Sequence, residues 1–161
     1  MENKYASVIH SPIGDVTVIA NETAVNEITF SKTNVDGLIE NKHSIQAAKQ
    51  LKEYFEGSLT EFSFPFEQNG TDFQQEVWQN LLKIPYGETT SYAKFSAHKP
   101  LAIRAIAAAN GKNNIAIVVP CHRVIGSDGK LVGYAGELWR KKWLLQHEID
   151  IAQKGQTALK F

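Results

Sequence analysis

Cysteine is nearly absent: Cys121 is the only one in 161 residues. A lone thiol excludes an internal disulfide framework and a zinc site built from several thiolates, which leaves Cys121 as either a buried small hydrophobe or a reactive group. No apolar run approaches the roughly 20 residues a membrane-spanning helix needs. The start, Met1-Glu2-Asn3-Lys4-Tyr5, lacks the apolar core of a signal peptide, so a soluble, cytoplasmic protein is expected. Net charge is absent too, with 17 basic residues against 17 acidic ones. What is present is ordinary globular material, because 43% hydrophobic residues are too many for a chain to stay disordered.

The balanced charge hides an asymmetry. Residues 1–69 hold 5 Lys/Arg and 10 Asp/Glu, whereas residues 70–161 hold 12 and 7. A basic C-terminal part points to a polyanionic partner on that side; chance distribution is the plain alternative.

Two modules are expected, residues 1–69 and 70–161. In the first, Tyr5 to His10, Val16 to Ala20 and Val25 to Phe30 alternate as strands around a Ser11-Pro12-Ile13-Gly14 turn, an antiparallel meander. Ala47, Ala48, Leu51, Tyr54 and Phe55 share one helical stripe suited to cover that sheet. The segment Glu61 to Gly70, with Pro65 inside it, reads as a connecting loop. In the second module, Thr71 caps a helix whose apolar face is Phe73, Val77, Trp78, Leu81 and Leu82. Two short helices follow: Tyr92 to Ala97, capped by Thr90 or Ser91, and Pro100 to Asn110, stopped by Gly111.

On the second of these helices, Ile103, Ile106, Ala107 and Asn110 recur at one face and are expected inward, leaving Arg104 and Ala108 on another face. Two short helices joined by a tight turn fit a helix-turn-helix whose second helix lies against DNA. The small side chains at Ala105, Ala107, Ala108 and Ala109 suit close approach to a groove, and equally suit tight helix packing. A buried strand is expected over Ile115 to Val119, then Pro120, a Ser127-Asp128-Gly129 turn, a Gly133-Tyr134-Ala135-Gly136 loop, and a last helix carrying Trp139, Trp143 and Leu144.

Cys121 directly follows the apolar run and Pro120, with His122 beside it. An ordinary thiol has a pKa of about 8.5, so it needs a base or a positive site to react at neutral pH. Consecutive side chains seldom touch, so His122 would take the proton through a water and would need a carboxylate to fix its tautomer. Glu148 and Glu137 are both candidates for that carboxylate.

Pro120-Cys121-His122-Arg123-Val124, preceded by Ile115-Ala116-Ile117-Val118-Val119 and followed by Gly133-Tyr134-Ala135-Gly136 and Trp143-Leu144-Leu145-Gln146-His147-Glu148, resembles the methylated-DNA–protein-cysteine methyltransferases, the O6-alkylguanine-DNA alkyltransferase family. The resemblance runs from about Phe73 to Glu148. It implies an α+β protein: a small N-terminal α/β ribonuclease-H-like module followed by a mainly α winged-helix or helix-turn-helix domain. It also implies DNA repair by direct, stoichiometric transfer of the alkyl group of O6-alkylguanine, with O4-alkylthymine as a further candidate, to Cys121. The partner would be double-stranded DNA carrying the lesion, bound by a monomer, with no cofactor and no metal. His122 would be the base, Glu148 its support, and Tyr92 the proton donor to guanine N3. Tyr134, Val124 and Ala135 would line the base pocket. Because the target atom lies inside a duplex, the nucleotide must be flipped out. Arg104 would fill the gap, with Ala105, Ala108, Arg123 and Ser91 also on the DNA. Asn113 would tie the recognition helix to the active-site turn, with Asn114 as its rival.

The chain departs from the family pattern in three places. The His98-Lys99-Pro100 turn looks about two residues short, Ala107-Ala108 stand where two glycines are common, and Glu137 replaces a frequent glycine. Three other readings of the same residues stay open at this level: a lesion-binding protein that does not repair, a winged-helix regulator with an inert cysteine, and a cysteine hydrolase built on Cys121 and His122.

Overall fold

The computed structural model describes residues 3–129, 131 and 133–158, with side chains as far as Gln153 in the last helix. It divides into two compact units, residues 1–69 with 114–116, and residues 70–113 with 117–161.

In the first unit, β1 (Tyr5–Ser11), β2 (Gly14–Ala20) and β3 (Val25–Thr29) form an antiparallel meander in the order β1-β2-β3. The β1–β2 register runs from Tyr5 opposite Ala20 to Ser11 opposite Gly14. β2 is the central strand, and Val16, Val18 and Ala20 are fully buried. Helix α1 (Lys42–Glu56) packs on β1 and β2. It starts at a reciprocal capping box between Asn41 and Ser44, and it stops at Gly57, whose φ of 86° suits a residue without a Cβ. The expected stripe faces the sheet: Ala47, Leu51, Tyr54 and Phe55 are buried, and full burial of a side chain of Leu51's size contributes about 1.5–3 kcal/mol.

The connector after α1 is more ordered than a plain loop. Val25 N donates to Pro65 O at 2.9 Å and Glu67 N donates to Val25 O at 2.9 Å, which pins the connector beside β3 as a parallel bridge. Phe62, Phe64 and Phe66 stack edge to face along it.

The expected strand over Ile115 to Val119 does not form. Ile28 N donates to Asn114 O and Ala116 N to Ile28 O, giving one bridge at Ile115. The chain then turns at Ile117, whose φ of 72° breaks an extended run. Ile117 is nonetheless buried, so the apolar run serves packing without pairing.

The second unit opens with α2 (Asp72–Leu81), where Gln74 N donates to Thr71 Oγ1 at 3.1 Å and Thr71 N donates to Gln74 Oε1 at 3.0 Å. Val77 and Trp78 face inward, whereas Leu82, just past the helix, is 38% exposed. A two-residue parallel ladder pairs β4 (Thr90–Ser91) with β5 (Val124–Ile125). Then come the helical turn α3 (Tyr92–Phe95), a 3₁₀ turn at Pro100–Ala102 and α4 (Ile103–Gly111). Trp78 Nε1 donates to Ala109 O at 2.9 Å, and Val77 packs with Ile106 and Ala109, which joins α2 to α4.

The phase of α4 differs from expectation at one residue. Ile106, Ala109 and Asn110 are buried, but Ile103 is 36% exposed. Ile103 is the first residue of α4, directly after the 3₁₀ turn. The chain ends in α5 (Leu138–Ala158). Among the described residues, no helix is long and apolar enough to cross a membrane. The architecture is thus a small sheet with one helix followed by a mainly helical unit, an α+β arrangement.

Candidate active site

Pro120 ends the apolar run and starts a 3₁₀ turn, Cys121–Arg123. Cys121 N donates to Val119 O at 2.8 Å and Arg123 N to Pro120 O at 3.0 Å. The turn therefore holds three functional side chains in successive directions. Asn113 Nδ2 donates to Val119 O at 2.8 Å, so the segment after α4 is tied to the start of this turn. Asn114, its rival, uses its main chain instead, toward Gln68 and Ile28.

Cys121 is 9% exposed. Burial pushes its thiol pKa up, while the Asn113 amide and the Lys141 ammonium pull it back. Beside it, His122 is fully buried and Glu148 is 1% exposed. His122 Nε2 lies 2.7 Å from Glu148 Oε2. Burial alone would raise the Glu148 carboxyl pKa, but His122 and Arg123 hold it well below the usual carboxylate range. Burial lowers the His122 pKa against the pull of Glu148, so the imidazole is neutral. A carboxylate only accepts, hence Nε2 carries the proton and Nδ1 is a bare lone pair. Nδ1 is buried and has no hydrogen-bond partner among the described residues.

Arg123 corrects an expectation. It was expected on DNA, but it is 7% exposed and turned inward. Its Nε and Nη2 donate to Glu148 at 2.8 and 3.2 Å, and its Nη1 donates to Ile84 O at 2.7 Å. A buried carboxylate that must stay ionised requires such a partner, and a guanidinium can bind both oxygens at once. Gly87 N adds a longer bond to Glu148 Oε1, 3.3 Å. Gly87 has φ 80°, and a Cβ there would lie 2.8 Å from Ala152 Cβ, so only glycine lets this loop lie against α5.

Between the two candidate carboxylates, the geometry selects Glu148. Glu137 instead accepts from Trp139 Nε1 at 2.7 Å and lies 3.8 Å from Arg140. Its φ of 78° is the left-handed conformation that glycine adopts without strain.

The remaining expected residues sort by position. Tyr92 begins α3, and its Oη accepts from Asn110 Nδ2 at 2.6 Å. Tyr134 Oη is buried without a hydrogen-bond partner. Burial and the nearby Cys121 push the Tyr134 pKa well above 10. Val124 is fully buried and Ala135 is exposed. Arg104, Ala105 and Ala108 are all exposed on α4. Ser91 caps α3, its Oγ accepting from Lys94 N at 3.1 Å.

One residue was missed at the sequence level. Lys141 is completely buried, and its Nζ donates to Val124 O at 2.7 Å. Its signal was present, because Lys141, Leu144, Leu145 and Glu148 recur at i, i+3, i+4 and i+7 and are all buried. Burial lowers its pKa, and the neighbouring Cys121 opposes that.

This site has close counterparts. Residues 4–68 match the family model "6-O-methylguanine DNA methyltransferase, ribonuclease-like domain", and residues 72–149 match "6-O-methylguanine DNA methyltransferase, DNA binding domain". A methylated-DNA–protein-cysteine methyltransferase of Methanosarcina barkeri is 45% identical over 152 residues, covering 89% of this chain and 96% of the relative. One of Mycobacterium leprae is 47% identical over 146 residues, covering 86% and 88%. Among solved structures, Mycobacterium tuberculosis OGT in complex with DNA superposes with a TM-score of 0.83 at 43% identity, covering 91% of this chain and 94% of that one. With both modules matched and the Cys121-His122-Glu148 constellation assembled, the chain belongs to the methylated-DNA–protein-cysteine methyltransferase family.

Proposed function

We propose that the chain repairs double-stranded DNA by moving the alkyl group of O6-alkylguanine directly to the sulfur of Cys121, once per molecule. The observation that carries this reading is the buried His122, next in sequence to the single thiol, whose Nε2 lies 2.7 Å from Glu148 Oε2 and whose Nδ1 has no hydrogen-bond partner among the described residues. That is the arrangement of an oriented base waiting for a proton.

The thiol proton passes through a water to His122 Nδ1, and the sulfur attacks the alkyl carbon in line. The S–C bond forms as the C–O6 bond breaks, and the electron pair stays on the purine. Tyr92 donates its phenolic proton to guanine N3, so the base leaves neutral rather than as an anion in a poorly solvated pocket. Imidazolium and tyrosinate then balance the charge. Glu148 holds and polarises His122, Arg123 keeps Glu148 ionised, and Lys141 with Asn113 eases thiolate formation. The product is a thioether, which no later step reverses, and no cofactor is consumed.

Tyr134, Val124 and Ala135 line the pocket for the extruded base. Exposed Arg104 enters the space the base leaves, because a planar guanidinium stacks between bases, while Ala105 and Ala108 allow α4 to approach the groove. Ser91 contributes at the start of α3. Residues 70–161 form the DNA-binding and acceptor module and residues 1–69 support it. The protein works as a cytoplasmic monomer, with O4-alkylthymine as a second substrate to be tried.

Intact-protein mass spectrometry after incubation with a duplex carrying one O6-methylguanine tests the reading. One added methylene per molecule, on Cys121 and absent from Cys121→Ser, is expected. Lesion binding without any mass change would overturn transfer and leave damage recognition alone.

A further inference from the structure

Asn110 lies on the buried face of α4, 4% exposed, and no step above uses it. Its amide nitrogen donates to Tyr92 Oη at 2.6 Å. Its amide oxygen, Oδ1, is buried with no hydrogen-bond partner among the described residues. An amide seldom keeps one atom unsatisfied in the interior, so its orientation is set by what the other atom does.

A phenol oxygen carries one proton and two lone pairs, and an amide NH₂ can only donate. With Asn110 on a lone pair, the Tyr92 proton cannot point at Asn110 and must be directed elsewhere. We propose that Asn110 is a positioning residue for the reaction, one that acts through Tyr92 by aiming the phenolic proton outward and by stabilising the oxygen once that proton has gone to the leaving base. This inference rests on the role of Tyr92 proposed above.

The bond gains strength at the moment it is needed. As Tyr92 gives up its proton, its oxygen becomes anionic, and a hydrogen bond to an anion is about twice as strong as one between neutral partners. The same interaction opposes the two influences that make Tyr92 a poor acid. Burial raises its pKa first and Cys121 raises it further, while the Asn110 bond lowers it. The packing supports rigidity, since Trp78 Nε1 holds the carbonyl of the preceding residue, Ala109, at 2.9 Å.

The test is a double-mutant cycle on single-turnover methyl transfer at saturating O6-methylguanine duplex, with duplex affinity measured separately. Asn110→Leu should slow transfer about 10-fold to 100-fold with affinity little changed, the range expected for losing one hydrogen bond to a charged group. In a Tyr92→Phe background the same substitution should cost almost nothing further. Asn110→Asp provides a second, fold-conserving probe. An ionised carboxylate would accept the Tyr92 proton instead of donating, so the rate of this variant relative to the unsubstituted chain at the same pH should rise as its carboxyl protonates on acidification. Equal losses from Asn110→Leu with and without Tyr92, or no rise in the relative rate of Asn110→Asp on acidification, would overturn the inference and leave the role of Tyr92 intact. A Tyr92→Phe protein with full activity would overturn both.

Discussion

Arg123 and His122, adjacent in sequence, converge on the two oxygens of one carboxylate: Glu148 accepts from Arg123 Nε through Oε1 and from His122 Nε2 through Oε2. His122, Glu148 and Arg123 are therefore a single buried unit, which the proposed reading uses as the base and its electrostatic support. Glu148→Gln should expose this. It leaves Arg123 buried without a counter-ion, at a cost of about 3–5 kcal/mol, and it removes the tautomer lock on His122. Transfer should fall about 10²–10⁴-fold, beyond what the unfolded fraction explains. Urea unfolding and single-turnover transfer on the same samples separate the two effects.

Stability should be flat around neutrality and fall on both sides. His122 and Glu148 both have lowered pKa values in the fold. Their contribution is present above the unfolded values and is lost as pH falls, first below about 6.5 and again below about 4.3. Cys121 and Tyr134 are raised, and Tyr86 is pushed up to about 12. Their contribution is full below the unfolded values and is lost as pH rises past about 8.5 for the thiol and about 10 for the phenols. Urea midpoints across pH should trace this plateau. Cys121→Ser should flatten the limb that begins near 8.5.

Gly87→Ala should destabilise the protein by about 1–3 kcal/mol, since the new methyl meets Ala152 and the φ is unfavourable for alanine. The loop also donates to Glu148, so the loss of stability should come with slower transfer. A thermal midpoint equal to that of the parent would show that α5 and the loop can separate freely.

Arg104→Ala should impair repair in duplex DNA far more than reaction with free O6-benzylguanine, because only the duplex requires a base to be turned out. Comparable losses on both substrates would remove Arg104 from that role. The fold should be unaffected, since the side chain is exposed.

Local rules made much of the fold legible. Thr71 announces α2, Gly111 falls at the last position of α4, and the meander alternates as expected. Failures came where tertiary context overrides a local pattern. An apolar run such as Ile115 to Val119 looks the same whether it pairs or only packs, and nothing nearby signals the left-handed Ile117. Ile103 is 36% exposed at the first residue of α4, where periodicity alone does not show how far the core reaches. At the site, Cys121 and His122 stand out by residue type and order, whereas Glu148 is separated from Glu137 only by its bond to His122. Arg123 and Lys141 were not readable, since a cation's burial depends on partners many residues away, here Glu148, Ile84 and Val124.

The bond from Asn113 to the carbonyl of Val119 closes a ring of only seven residues between the end of α4 and the turn that carries the thiol. A ring that small has no room for an independent hinge. On the proposed reading, a displacement of α4 against a duplex would reach the Cys121 turn through this bond. On that reading, the helix that meets the groove and the thiol that accepts the alkyl group are thus tied by one side-chain bond, and the contact that finds the damage also places the reagent.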